Sequence, residues 1–308
     1  MGGMSGVKAY FYRPAASLAV TGEDASVFLQ SQFSNDLAQA EPGRCVYGLW
    51  LDRKGKVQAD GWVLCRDAES FYVHSYFSAG ETIREKLESH IIADDVEVAG
   101  ANPVGALSLL GVGAEGFLAA SGVEISGAGH FGVLEDAIVF RGRRSLAPSF
   151  EFVFFSETSA AKWEAAVAAA GLDVVSEPQL QSERIRSGIP AVPFDIGPAD
   201  LPAEGGLDAD ALSFTKGCFI GQEVVARMYH LGRPQRALFR VSGSGPAPEV
   251  PALLHAGEGR TAGELRSLVP EGSGWMGIAL LKRRNVQLGA QIYSGEVPVT
   301  IVGELRGA

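Results

Sequence analysis

The sequence predicts an α+β fold, with a mixed domain over residues 1–236 and a small antiparallel β-barrel over residues 237–308. Two textures and one bulk property predict it. Up to residue 236, short β-branched and aromatic runs alternate with amphipathic stretches that carry helix caps. From Ala237 onward only short strand-like runs remain, separated by Gly, Pro and Ser turns such as Ser242–Pro248. At 308 residues, 46% hydrophobic and 20% charged, the chain can bury a sizeable core.

Taken in order, Ala9–Tyr12 and Ser17–Val20 read as strands. Thr21 reads as the cap of a helix with Glu23 and Asp24 in its first turn and an apolar side of Val27, Phe28, Leu29 and Phe33. Cys45–Leu51 and Lys56–Arg66 form a strand pair across the turn Asp52–Gly55, and Phe71–Tyr76 is a third strand. Glu81–His90 is a charged amphipathic helix, and strand character returns over Pro103–Leu110. Thr158–Ala170 is an Ala-rich helix that Gly171 ends. Ser176-Glu-Pro-Gln179 opens another helix with a capping box and an early proline, running to Ser187 before Gly188. In the barrel, strands are expected at Leu238–Val241, Gly274–Leu281, Gln291–Tyr293 and Val297–Val302. Trp50, Trp62 and Trp275 read as core residues, an aromatic face for a flat heterocycle being the other reading. No internal sequence repeat stands out.

Composition removes several function classes. No stretch of eighteen apolar residues exists to span a membrane. Met1–Lys8 has no apolar run for a secretory leader, so the cytoplasm is the expected location. A net charge of -10 argues against broad nucleic-acid binding. The cations nevertheless cluster, at Lys216, Arg227, Arg233, Arg236 and Arg240 and again at Lys282–Arg284. A solvated face and a local basic surface both account for that. The three cysteines include no Cys-x-x-Cys pair, so neither a disulfide framework nor a cluster or zinc held by this chain alone is expected.

The segment that carries chemistry is Lys216-Gly-Cys-Phe-Ile-Gly-Gln-Glu223, a Gly-flanked loop leading into a helix from about Gly221 to Gly232. Cys218 lies just ahead of that helix start with Lys216 two residues before it, and both features favour a thiolate. The other reading of Cys218, beside Phe219 and Ile220, is a small buried hydrophobe. For Cys45 and Cys65 packing is the reading. Gly217 and Gly221 would let backbone approach a ligand closely, and free N–H groups of the first turn, at Gln222 and Glu223, suit a carboxylate or polar heterocycle. Glu223 and Arg227 are spaced for a surface ion pair, with His230 on the same side.

Lys216–Glu223 resembles the signature of YgfZ-type folate-binding proteins, a branch of the glycine-cleavage T-protein superfamily whose eukaryotic relatives act in mitochondrial iron–sulfur assembly. The resemblance continues through Gly22–Gln30, Asn35-Asp36, Pro42-Gly43, Gly55–Asp60, Arg184–Gly188, Phe194–Ile196, Pro202–Glu204, Gly263–Ser267 and Gly277–Leu280. It implies a folate domain of ferredoxin-like pieces packed on the barrel, with a central cleft lined by the signature loop. It further implies tetrahydrofolate or a one-carbon derivative as cofactor. Cys218 and Lys216 would carry the chemistry, while Asp60, Gly217, Gly221, Gln222, Glu223 and Arg227 would hold the cofactor, Arg227 at the folate tail. The implied function is an accessory role in assembly or repair of iron–sulfur enzymes, including cluster-dependent tRNA modification, with those clients or assembly proteins as partners. The alternative is a tetrahydrofolate-dependent aminomethyltransferase or other one-carbon enzyme; a folate-sensing module without chemistry is a third reading. T-proteins typically carry Asp at the position of Cys218, Arg at Gln222 and a pterin-holding Glu at Arg186. Asp60 matches an acidic T-protein residue, with hairpin solvation as its other reading.

Overall fold

The computed structural model describes residues 6–38, 41–125 and 127–305. Residues 1–5, most of the segment read for a leader, lie outside the described residues. Strand β1 (Lys8–Tyr12) is followed by a β-α-β-β-β-α-β unit. That unit comprises β2 (Ala16–Thr21), α1 (Ala25–Gln32), β3 (Cys45–Leu51), β4 (Val57–Asp67), β5 (Ser70–Ser75), α2 (Gly80–Glu88) and β6 (Glu97–Gly100). A second unit repeats the order with β7 (Gly105–Leu110), α3 (Ala114–Ala120), β8 (Phe131–Leu134), β9 (Ala137–Arg141), β10 (Ser149–Phe154), α4 (Glu157–Ala169) and β11 (Asp173–Val174).

Strand order repeats as well. The first sheet runs β3-β4-β5-β2-β6 and the second β8-β9-β10-β7-β1-β11, so the two differ by the insertion of β1 between β7 and β11. Each unit is ferredoxin-like with one added edge strand, as expected. The two units form an internal repeat where none was expected. Gly22-x-x-Ala25-x-x-Phe28-Leu29 and Gly111-x-x-Ala114-x-x-Phe117-Leu118 occupy the same strand-to-helix corner in the two units. Both glycines adopt positive φ, 134° and 122°, where a Cβ would collide with the carbonyl oxygen of Asp95 or Gly6. Both Phe-Leu pairs are buried.

The units stack in four layers. Helices α1 and α2 cover the outer face of the first sheet through Phe28, Leu29, Ile83 and Leu87. Helices α3 and α4 cover the second through Phe117, Leu118, Trp163 and Val167. Between the sheets Trp62, Leu64 and Tyr72 meet Ile138, Phe140 and Val153. Also in this interior, Glu151 accepts hydrogen bonds from Tyr12 (2.8 Å), Tyr76 (2.6 Å) and Ser108 (2.5 Å). The Arg144 guanidinium lies 3.7 Å from the centre of the Tyr76 ring.

Helix α5 (Glu177–Ser187) has the expected capping box and ends at Gly188 in the left-handed region. A long loop then leads to α6 (Gln222–Leu231). Strands β12 (Arg236–Ser244), β13 (Ala252–Ala256), β14 (Arg260–Glu271), β15 (Gly274–Lys282), β16 (Gln291–Ser294) and β17 (Val297–Glu304) close a barrel in the order β12-β15-β14-β13-β16-β17. Its interior holds Phe239, Leu254, Trp275 and Ile301. One apolar cluster joins the domains, combining Leu51 and Val57 of the first sheet, Ile185 of α5, Phe219, Val225 of α6 and Leu280 of the barrel. Beside it Arg184, almost fully buried, pairs with buried Asp195 (2.5 Å), which also accepts from Ser267 of β14 (2.6 Å).

One cap differs from expectation. Thr21 ends β2, and Asp24 takes the N-cap position of α1 without a side-chain cap bond. Its carboxylate accepts from the Asp95 N–H (2.8 Å) and so ties the corner to the start of β6.

Candidate functional site

The signature segment is anchored at two points. Lys216 is buried, and its ammonium donates to the carbonyl oxygens of Gln30 (2.6 Å), Phe33 (2.6 Å) and Asn35 (2.9 Å). These are carbonyls at and just beyond the C-terminal end of α1, where a helix presents partial negative charge. Burial pulls this amine down to about 8. All three ammonium donors are thus committed to α1, so Lys216 pegs the loop in place rather than standing as a free charge beside Cys218. The second anchor is Gly221. Its φ of +81° and a would-be Cβ only 2.5 Å from the Asp52 carbonyl oxygen admit glycine alone. The partner surface is the β3–β4 turn, closed by the Gly55 N–H bonding to the Asp52 carbonyl (2.9 Å) and by Gly55 at φ +70°. Gly221 therefore serves packing of loop on turn, where a ligand contact was expected.

Between the anchors the chain is open. Gly217 and Cys218 are exposed, and nothing lies within 4 Å of a Cβ built on Gly217. This corrects the buried-hydrophobe reading of Cys218; that reading holds for Cys45 and Cys65, which are buried. Gln222 opens α6 after a left-handed Gly221. Glu223 and Arg227 form an exposed pair (2.9 Å). Such an i,i+4 pair contributes about 0.3–0.5 kcal/mol.

Asp60 lies apart from this loop, in the middle of β4. It is 6% exposed and accepts from the hydroxyls of Tyr47 (2.7 Å), Ser78 (2.7 Å) and Ser75 (3.2 Å). Burial raises its pKa, opposed by these donors. Hairpin solvation is thereby excluded. Tyr47 in turn carries the Arg143 guanidinium 4.1 Å above its ring, and Arg143 pairs with Asp210 (2.7 Å). Nothing in the local sequence pattern marked Tyr47, Ser75, Ser78 or Arg143, because they converge from β3, β5 and two loops.

A cavity of about 760 Å³ opens where α5, the loop at 191–194 and β14 meet. Phe77 and Phe194, edge to face at 6.0 Å, flank it, and Gln181, Arg184, Glu264 and Arg266 supply polar groups. No residue of Lys216–Glu223 lines it, so the expected cleft lined by the signature loop is not the arrangement at this junction. Asp60 backs onto it indirectly: Ser78, bonded to Asp60, also donates to the Val192 carbonyl (3.3 Å) beside the lining residues. Arg186, at the position of the T-protein glutamate, is on the surface and paired with Glu271 (3.0 Å). Among the described residues no group of three or more His, Cys, Asp or Glu is placed to hold a metal ion, and no helix is long and apolar enough to cross a membrane.

Comparison with known proteins adds four findings. Residues 13–211 match the family model of the GCVT N-terminal domain. The chain is 25% identical to the tRNA-modifying protein YgfZ of Yersinia enterocolitica over 77% of its own length and 71% of that protein's. It is 35% identical to the mitochondrial iron–sulfur cluster assembly factor IBA57 of Mus musculus over 39% of its length, an alignment spanning about a third (34%) of that relative. In fold it is similar to the glycine cleavage system aminomethyltransferase T of Bartonella henselae, with TM-score 0.81 and 18% identity over 98% of this chain and 88% of that one. With the repeated ferredoxin-like units, the barrel and the signature loop in place, the chain belongs to the GCVT N-terminal domain family, as a member of YgfZ type.

Proposed function

We propose that this chain is a cytoplasmic folate-binding accessory protein that supports assembly or repair of iron–sulfur enzymes, cluster-dependent tRNA-modifying enzymes among them. The observation that carries the reading is the exposed Cys218 thiol on a loop fixed on both sides, by Lys216 to α1 and by Gly221 to the β3–β4 turn. A thiol held at a defined place on the surface suits transient contact with a client, through a mixed disulfide or as a passing ligand to a client's cluster. The names of the YgfZ and IBA57 relatives support the same reading.

For folate, the residues of the junction cavity fit. Its 760 Å³ lies in the range of small-molecule sites. Phe77 and Phe194 offer ring faces and edges to a pterin and Gln181 offers an acceptor for its amino and ring N–H groups, while Arg266, paired with Glu264 (2.6 Å) and Asp200 (3.4 Å), would take a folate carboxylate by exchanging one of these partners. Bound there, tetrahydrofolate would supply one-carbon carrying capacity. Because Cys218 does not line this cavity, folate and client meet the protein at different places in this reading. Aminomethyl transfer gains no support at Arg186, a cation where T-proteins place the carboxylate that reads the pterin.

The test is complementation in cells lacking their own YgfZ-type protein. Wild type should restore the activity of a cluster-dependent tRNA-modifying enzyme, and Cys218→Ser at equal protein level should not. Full rescue by Cys218→Ser would remove the thiol from the function. Failure of wild type, with lipoyl-protein-dependent formation of methylenetetrahydrofolate by the purified protein, would replace the reading with aminomethyl transfer.

A further inference from the structure

A second cavity, of about 680 Å³, lies between the C-terminal end of α6 and the barrel. Five cations converge on it: Arg233 from the α6–β12 connection, Arg236 from the start of β12, Lys282 from the end of β15, and Arg283 and Arg284 just beyond it. The chain has 26 Lys and Arg against 36 Asp and Glu, so this concentration opposes the charge of the whole. Two of the five are neutralised. Arg236 pairs with Glu204 (2.7 Å) and Asp200 (3.0 Å), and Arg283 with Glu304 (2.7 Å). The side chains of Arg233, Lys282 and Arg284 make no ion pair or hydrogen bond among the described residues.

The barrel register fixes these cations side by side. Arg236 of β12 stands directly opposite Lys282 of β15, and because Glu204 and Asp200 already neutralise Arg236, the unpaired charge at this position is that of Lys282. The next backbone link, from the Arg283 N–H to the Gln235 carbonyl (2.9 Å), holds both cationic segments against each other. A solvated cationic face could spread these side chains over a convex surface; here they surround a concave volume with Met228, Leu201, Pro234 and Gln235 on its wall, together with Glu204, whose carboxylate is taken up by Arg236 (2.7 Å). Guanidinium forks take up oxyanions in pairs of hydrogen bonds, and the apolar wall gives room to an organic body. The volume suits a small molecule.

We propose that this cavity is a binding site for a small organic oligoanion, a molecule carrying two or more phosphate or carboxylate groups. It is distinct from the junction cavity and from the signature loop, and does not rest on the iron–sulfur reading. Its nearest tie to the other sites is Asp200, which contacts both Arg236 here and Arg266 of the junction cavity (3.4 Å).

The experiment is calorimetric titration of the full chain at low and at physiological ionic strength with three probes. These are ATP, a γ-linked triglutamate peptide, and a twenty-nucleotide single-stranded RNA. The expected result is saturable one-to-one binding of ATP or triglutamate, the two arms telling phosphate from carboxylate chemistry. The Arg233→Glu, Lys282→Glu, Arg284→Glu triple variant should then bind at least about tenfold more weakly, as loss of about 1.4 kcal/mol or more of charge-assisted contact implies. The neutral variant Arg284→Gln, with an unchanged thermal melt, should show a smaller loss in the same direction. Absence of binding by wild type at low salt, equal binding by the triple variant, or binding of RNA alone would each overturn the proposal.

Discussion

The Tyr12 hydroxyl donates to Glu151 (2.8 Å), so the 3.0 Å contact between that oxygen and His74 Nε2 must use the imidazole as donor. His74 is then neutral with its proton on Nε2, and its Nδ1 has no partner among the described residues. Burial holds this histidine down to about 3. Below its ordinary value of about 6.5 the unfolded chain takes up a proton that the folded chain refuses, so this group removes stability as pH falls. The loss is about 3 kcal/mol between pH 6.5 and 4. Buried Asp60 and Glu151, both raised by burial, act in the opposite direction, since the folded chain keeps their protons longer as pH rises. Subtracting the urea-unfolding stability of His74→Phe from that of wild type at each pH isolates the histidine. The difference should turn against wild type by that amount on acidification. A difference that stays flat would mean that His74 is protonated inside the fold.

At the scale of the element, the signature loop separates glycines by cause. Gly221→Ala places a Cβ against the Asp52 carbonyl at a left-handed φ, and should cost more than about 1 kcal/mol by denaturant unfolding. Gly217→Ala meets nothing within 4 Å and should leave stability within about 0.5 kcal/mol. If Gly217→Ala nevertheless lowers complementation, an outside surface must approach that position. Lys216→Met should loosen the loop from α1 and change the rate at which iodoacetamide alkylates Cys218; an unchanged rate would leave the three carbonyl contacts without consequence for the thiol. The sequence made α6, its glycine boundaries and the β3–β4 turn legible, because caps and turns are local chemistry. It did not show that Lys216 reaches α1, since the three carbonyls lie 181 to 186 residues away along the chain. Strand β10 escaped notice for a related reason: Glu151 interrupts Ser-Phe-Glu-Phe-Val-Phe and reads as surface until its three hydroxyl donors are brought to it.

Across the whole molecule, the barrel is fastened to the α+β domain through a buried charge pair. Arg184 of α5 meets Asp195, and Ser267 of β14 donates to the same carboxylate. Removing one member leaves the other charge buried without a counter-charge, at a cost of about 3–5 kcal/mol. Arg184→Met should therefore lower the unfolding midpoint strongly, whereas Arg186→Met, two residues on and exposed, should change it little. The two-domain outline was readable from texture alone, while the duplication was not, because Gly-x-x-Ala-x-x-Phe-Leu is short and its two copies lie 89 positions apart. The duplication is also interlocked. Strand β1, ahead of the first unit, completes the sheet of the second by lying between β7 and β11. A ribosome making this chain releases β1 first, yet its neighbours on both sides leave the exit tunnel only after the whole first unit has been synthesised. The second unit cannot be cut out as a finished module: a fragment beginning at β7 would leave between β7 and β11 the gap that β1 fills, and a fragment running from β1 to β6 would carry β1 without its sheet.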